Sequence, residues 1–247
     1  TADLKEFHPT SFMSPAYAIL ILWVLRMILA SGFILGQVPF KTVMIHGLVR
    51  DKQGRKFSNS LNNDIDPIEV IEKYGADALR MGLIVGTPLV ADINFDEQKV
   101  KAYKLFANKL WNIARFVLEN SEGTTLDAPL NAADAELRAA AEAVLTDITS
   151  DFEAYRLYLA SEKLYHYVWH ELADKILEDS KKIFGTHDTP STASPEVIAS
   201  RQAFLLHTLD AMLRALHPFM PFVTEEIWQS MPTKDADLLM VAKWPTA

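Results

Sequence analysis

What most limits the folds open to this 247-residue chain is a change of period near residue 97. From there on the apolar residues recur at spacings of three and four and never alternate, the pattern of amphipathic helices rather than strands. The stretch "DEQKVKAYKLFANKLWNIARFVLEN" (96–120) sets Phe106, Leu110, Ile113 and Val117 on one face and leaves Lys101, Lys104 and Lys109 largely off it. Helical patterns return at about 135–157, 160–184 and 196–216, and "HPFMPF" breaks the chain before a short helix at about 224–231. The links between them, "SEGTTLDAPLNAAD" and "GTHDTPSTASP", are polar. Long amphipathic helices on short connections predict an antiparallel bundle over 98–247.

Upstream the grammar differs. "AYAILILWVLRMILASGFILG" (16–36) has the length of a membrane span, but Arg26 would sit near its centre at a cost of roughly 2.5–3.5 kcal/mol. No basic segment precedes it as in a signal peptide. The expectation is a buried helix that stops near residue 31, ahead of Gly32 and Gly36. Residues 38–50, "VPFKTVMIHGLVR", read as a buried strand, and "DKQGRKFSNSLNND" as a loop. Asp66-Pro67 then opens a helix, with Asp66 as N-cap and Glu69 in the first turn, expected to run past Gly75 to Leu79. Helix, strand, loop and helix make half of an α/β nucleotide-binding layer spanning 1–97. The predicted fold is therefore mainly α: an incomplete α/β segment followed by a helical bundle.

Composition narrows the functions. The chain has no cysteine, which excludes disulfides, thiolate metal sites and thiol catalysis. Its net charge of −8 argues against a protein that grips nucleic acid by bulk positive charge. Any such contact must be local, and residues 98–118 supply a candidate: Lys99, Lys101, Lys104, Lys109 and Arg115 with no acid among them. Such a stripe suits phosphate contacts. It is equally what a solvated helix face contains.

The loop "GRKFSNSLNN" (54–63) places a glycine, two adjacent cations and two serines between a strand and a helix. Arginine or lysine there neutralises phosphate charge and the hydroxyls donate to it. An ordinary solvated turn reads the same way, and the Walker A pattern is absent. His166 and His170 stand four apart beside Glu171, but neither the zincin order nor a third ligand follows, so no metal site is expected. Tyr155, Tyr158, Tyr165, Tyr167 and Trp169 are expected to serve helix packing.

Taken in order, "FHPTSFMSPAYAILILWVLRMIL", "VMIHGLVRDKQGRKFSNSLNNDIDPIEVIEKYGADALR", "FDEQKVKAYKLFANKLWNIARFV", "YVWHELADKILEDSKK" and "LHPFMPFVTEEIW" resemble successive blocks of class I aminoacyl-tRNA synthetases. Within that family "IHGLVRD" and "FANKLWNIARFV" are most similar to the valine-specific enzymes. The resemblance implies that 1–97 is the C-terminal part of a Rossmann-like catalytic domain and 98–247 a helical anticodon-binding domain.

It also implies a role for the loop. The family's Lys-Met-Ser-Lys-Ser signature, whose lysines stabilise charge on departing pyrophosphate, stands here as Lys56-Phe57-Ser58-Asn59-Ser60. The second lysine is replaced by Asn59, and "PAYA" (15–18) lacks the Gly and Asp usual around its tyrosine. By this resemblance Lys56 and the degenerate Asn59 position are catalytic, and Lys56, Phe57, Ser58, Asn59 and Ser60 meet ATP. Lys101, Lys104, Lys109, Asn112 and Arg115 would meet tRNA(Val). The complete enzyme would use ATP with Mg2+; no cofactor is expected on this chain alone. Neither His8-Pro9 nor His46-Gly47 matches the His-Ile-Gly-His signature of the first catalytic half, so another chain or further sequence is expected to supply it. No editing domain or coiled-coil arm is expected in these residues, the location is expected to be cytoplasmic, and no membrane partner is expected. The alternative is a catalytically silent module of the same descent that binds tRNA or another protein.

Overall fold

The computed structural model describes residues 1–61, 63–126, 128–185 and 190–245. The chain forms two compact units. The first comprises 1–65 with 87–96, and the second 66–86 with 97–247. The division does not follow a single cut at residue 97: the two helices after the signature loop group with the bundle.

In the first unit, α1 (Ala2–Phe7) leads to β1 (Thr10–Met13), which pairs in parallel with β2 (Phe40–Val43), Thr10 opposite Phe40 and Met13 opposite Val43. Between them a tight turn and wide π-type turns over 17–24 run into α2 (Leu25–Leu35). The expected single strand over 38–50 is in fact two. After β2 the chain bends through 44–48, and β3 (Val49–Arg50) pairs in parallel with β4 (Ile93–Asn94).

Two expectations about residues 16–36 fail. The helix ends at Leu35, not near 31, because Gly36 takes the left-handed conformation (φ 67°) and donates to the Gly32 carbonyl as a C-cap. Nor is it buried: Phe33 is 93% exposed and Ile34 74%. Two-strand sheets offer too little surface to cover a helix that is apolar all round. Tyr17–Leu35 is also the one helix among the described residues long and apolar enough to cross a membrane.

Gly47 holds the bend to the segment before β4. A Cβ there would lie 1.9 Å from the Ala91 carbonyl oxygen and 2.7 Å from the Asp92 nitrogen, both backbone. Gly47→Ala should therefore push 87–96 away from β3 at a cost of at least the ~1–3 kcal/mol typical of overpacking. The Ile93 and Phe95 amides, which donate to Leu48 O (3.0 Å) and Arg50 O (2.8 Å), report it. Their hydrogen exchange should accelerate; unchanged protection would show that the contact relaxes freely.

The second unit is helical. Asp66 caps α3 (Pro67–Tyr74), its carboxylate accepting from Ile68 N at 2.8 Å. Gly75, at φ 91°, ends that helix rather than letting it run on, and α4 (Ala76–Ile84) starts afresh. Then come α5 (Glu97–Asn120), α6 (Ala132–Glu153), α7 (Leu157–His166), wide π-type turns over 167–177, α8 (Glu178–Phe184), α9 (Pro195–Leu216) and α10 (Pro221–Gln229). α5 contains neither proline nor glycine, and its stripe of Phe106, Leu110, Ile113 and Val117 is buried. α9 is the central helix, with Phe204, Leu205, Leu206, Leu209 and Leu213 inaccessible to solvent, each contributing about 1.5–3 kcal/mol by burial. Among the described residues no strand falls between 135 and 216.

α4 is tied to the start of α10 by two charged side chains. Asp77 accepts from Phe222 N (3.2 Å) and Val223 N (2.7 Å), and Arg80 donates to Phe219 O (3.0 Å) and Pro218 O (2.7 Å). Burial pushes the Asp77 carboxyl above its usual range, against the pull of those two amides.

Candidate functional site

The signature loop leaves β3 as a turn built on Asp51. Asp51 N donates to Arg55 O (2.9 Å), and the Asp51 carboxylate accepts from Gln53 N (3.0 Å), Arg55 N (2.8 Å) and Arg55 Nε (2.7 Å). Asn63 Nδ2 adds a fourth donor at 2.8 Å. Burial works to raise this carboxyl, but the Asn63 and Arg55 hydrogen bonds outweigh it and hold the group at about 2. It is thus an anion that its surroundings favour.

Beyond the turn, Lys56 pairs with Arg50 in an isolated antiparallel bridge and extends an exposed side chain. Phe57 is half-buried, and Ser58 Oγ lies 2.7 Å from Ser60 Oγ. A short helical turn, Asn59–Leu61, closes the arc. The Asn59 side chain, at the expected degenerate position, lies outside the described residues. The Lys56 ammonium has no hydrogen bond or ion pair among the described residues, so it is open to an anion.

A second polar node anchors the base of the loop. Asp92 accepts from Leu48 N (2.7 Å), Arg50 Nε (2.6 Å) and Tyr17 OH (3.0 Å), and Arg50 Nη1 donates to Gly54 O at 3.3 Å. The Leu48 amide, then the Arg50 and Tyr17 bonds, hold the Asp92 carboxyl below its usual range. Sequence reading singled out neither Asp51, Asn63 nor Asp92. Their partners lie up to 75 residues apart, and no spacing rule connects them.

On the helical unit the structure separates the basic stripe. Lys109, Asn112 and Arg115 line one groove of about 230 Å³ between α5 and the 167–184 segment, together with Phe116, Glu119 and Lys181. Lys101 and Lys104 lie outside it, and Lys104 Nζ donates to Lys73 O at 2.9 Å. The groove cations are partly countered: Lys109 pairs with Asp174 (3.0 Å) over the Trp169 ring, and Arg115 stands 3.8 Å from Glu119. Arg115 is the more available, since its partner is distant and both are well exposed.

Tyr165 packs edge-on against Tyr103, beside Phe106 and stacked on Trp169, and Tyr167 is buried, as expected for helix packing, whereas Tyr155 is exposed. His166 and His170 have ring centres 5.1 Å apart, with Asp174 3.5 Å from His170. Among the described residues no group of three or more metal-binding side chains converges.

Two family models match the chain. Residues 1–96 match "tRNA synthetases class I (I, L, M and V)" and 134–247 match "Anticodon-binding domain of tRNA ligase". The chain is 41% identical to the valine–tRNA ligase of Petrotoga mobilis over 250 residues, covering 99% of this chain and 28% of that protein. It is 41% identical to that of Latilactobacillus sakei over 249 residues, covering 98% and 27%. It thus spans little more than a quarter of these relatives. Among solved structures it is similar to the Agrobacterium radiobacter K84 LeuRS–tRNA–LeuAMS ternary complex, at TM-score 0.72 and 22% identity over 96% of this chain and 28% of the other. A Mycobacterium tuberculosis methionyl-tRNA synthetase in complex with methionyl-adenylate matches at 0.72 and 22% over 91% and 45%. At such identity these two likenesses speak for the fold alone.

Proposed function

This chain belongs to the class I tRNA synthetases, and we propose that it forms the segment of a valine–tRNA ligase joining the end of the catalytic fold to the anticodon-binding helices. The complete enzyme would activate valine with ATP, release pyrophosphate and pass valine to tRNA(Val) in the cytoplasm. The observation that carries the reading is the pairing, in one chain, of a loop bearing the open Lys56 ammonium with a groove lined by Lys109, Asn112 and Arg115.

ATP, with Mg2+ on its phosphates, supplies the activated adenylyl group when bound. This chain's residues fit its phosphate end: Lys56 offers charge, and the Ser58–Ser60 hydroxyl pair offers donors. Lys56 would neutralise the departing pyrophosphate without exchanging a proton. The exposed α2 and the open edges of the two-strand sheets are surfaces for the remaining catalytic half, on the same polypeptide or a second chain. A catalytically silent tRNA-binding module remains the second reading, favoured by the neutral residue at position 59.

Binding to tRNA(Val) across a salt series tests the helical half. Local charge on an acidic body acts within about 8 Å at physiological salt, so affinity should be modest and salt-sensitive. Arg115→Ala should weaken binding and lower the log–log slope by roughly 0.7–0.9, the value of one phosphate contact. Lys109→Ala should act in the same direction but less, because Asp174 already engages that ammonium. Unchanged affinity and slope in both variants would return the stripe to a solvated helix face.

A further inference from the structure

The signature loop is held at both ends by one buried carboxylate and one amide. Asp51, 6% exposed at the end of β3, organises the near half, residues 51–55, through its own backbone and carboxylate. The far half, 56–61, depends on Asn63. Its Nδ2 donates to Asp51 Oδ2 at 2.8 Å and to Lys56 O at 3.3 Å, while its Oδ1 accepts from Ser58 N at 3.0 Å. One side chain therefore fixes the backbone on both sides of Phe57 and ties it to the fixed carboxylate twelve residues upstream. Among the described residues the far half is otherwise held by the Arg50–Lys56 bridge, the serine pair and the Leu61 N–Ser58 O turn.

We propose that Asp51 and Asn63 form a latch that sets the arc of residues 55–60, and that Asn63 is a positioning residue for Lys56 in the activation step. The second half of the proposal rests on the reading of this loop as the pyrophosphate-facing one. The physical reason is entropy. A lysine on a free arc would have to be ordered residue by residue as charge develops on the phosphates. Held by the latch, its backbone is in place beforehand, which is what electrostatic preorganisation requires. Asp51 touches no reacting group in this scheme; it gives Asn63 something fixed to hold.

Two measurements separate the latch from its use. On this chain, brief trypsin treatment reads opening of the arc at the bonds after Arg55 and Lys56. Asn63→Ala should speed those cuts about tenfold, the value of one to two lost net hydrogen bonds, with circular dichroism and cleavage elsewhere unchanged. Equal rates would overturn the latch. In the complete ligase, Asn63→Ala and Asp51→Asn should each lower kcat of valine-dependent pyrophosphate exchange about tenfold by the same bond count, with KM for valine unchanged. Exchanging the two groups, Asp51→Asn with Asn63→Asp, restores an amide–carboxylate bond between positions 51 and 63 but leaves Lys56 O without its donor. It should recover part of the loss, and more than Asn63→Asp alone, which a merely misfolded loop would not. If Lys56→Ala abolishes exchange while the Asn63 variant does not lower kcat, the positioning role is overturned. If Lys56→Ala leaves exchange intact, the pyrophosphate reading fails and takes that role with it, while the trypsin result still judges the latch.

Discussion

Arg201→Met should lower the unfolding free energy of the helical unit by about 3–5 kcal/mol, the cost of stripping a buried ion pair of one partner. Arg201 Nε donates to Asp134 Oδ1 at 2.6 Å, and the two side chains are only 5% and 1% exposed. Nη1 reaches Ser180 Oγ (3.0 Å) and Asp179 Oδ2 (3.3 Å), so this one side chain joins α6, α8 and α9. Without it, Asp134 keeps Ser200 Oγ (2.6 Å) and Asn131 Nδ2 (3.0 Å) but no positive charge. The hydrogen bonds that remain do not repay the desolvation of a full charge. Removing both charges, by Arg201→Met with Asp134→Asn, should cost far less than the single change, because nothing charged is left buried. Urea unfolding followed by circular dichroism gives both values, with an unchanged slope as the sign that the same unit unfolds. A single-variant loss below about 1 kcal/mol would mean that water reaches Asp134 and the pair behaves as a surface bridge.

That pair also shows where the sequence stops speaking. The 3.6-residue period locates α5 and its buried stripe, because one helix's apolar face is a local property. Which of many acidic and basic residues meet in the interior is not local, and Asp134 and Arg201 look like any other charges on amphipathic helices. The Asp66-Pro67 start was legible because cap and proline act on adjacent backbone. The Gly75 break was not, since a glycine inside an apolar period either continues a helix or ends it according to what packs beside it. Likewise the apolar run 16–36 announces a helix without saying whether anything covers it. Its exposure follows from two-strand sheets, a tertiary fact. In the site, the order of residues 56–60 could be read directly. The Asp51–Asn63 and Asp92–Arg50 contacts that hold them could not, because they join side chains across turns and strands.

The largest effect on chemistry is expected at position 59. In the complete ligase carrying this segment, Asn59→Lys should raise the rate of valine activation by up to about 10²–10³, roughly 2.7–4 kcal/mol of transition-state stabilisation. As the valine carboxylate attacks ATP, negative charge grows on the departing pyrophosphate, and each cation already placed beside it lowers the barrier. On the proposed reading Lys56 would supply one such charge, while an amide at 59 would donate a hydrogen bond without charge. Position 59 opens the short helical turn that ends at Leu61, a backbone conformation that lysine adopts without strain. Asn59→Gln, which lengthens the side chain without charging it, should leave the rate near that of asparagine and so separates charge from reach. Neither this chain alone nor its Asn59→Lys variant should catalyse exchange, because the groups that bind adenine and valine are expected in the other catalytic half. Valine-dependent pyrophosphate exchange, measured on the complete enzyme and on the 247-residue chain, reads all of these. A complete enzyme whose rate Asn59→Lys does not raise, although Lys56→Ala abolishes it, would show that one lysine suffices and that position 59 is not a vacant cation site. Robust exchange by the chain alone would overturn the assignment of the remaining chemistry to another half.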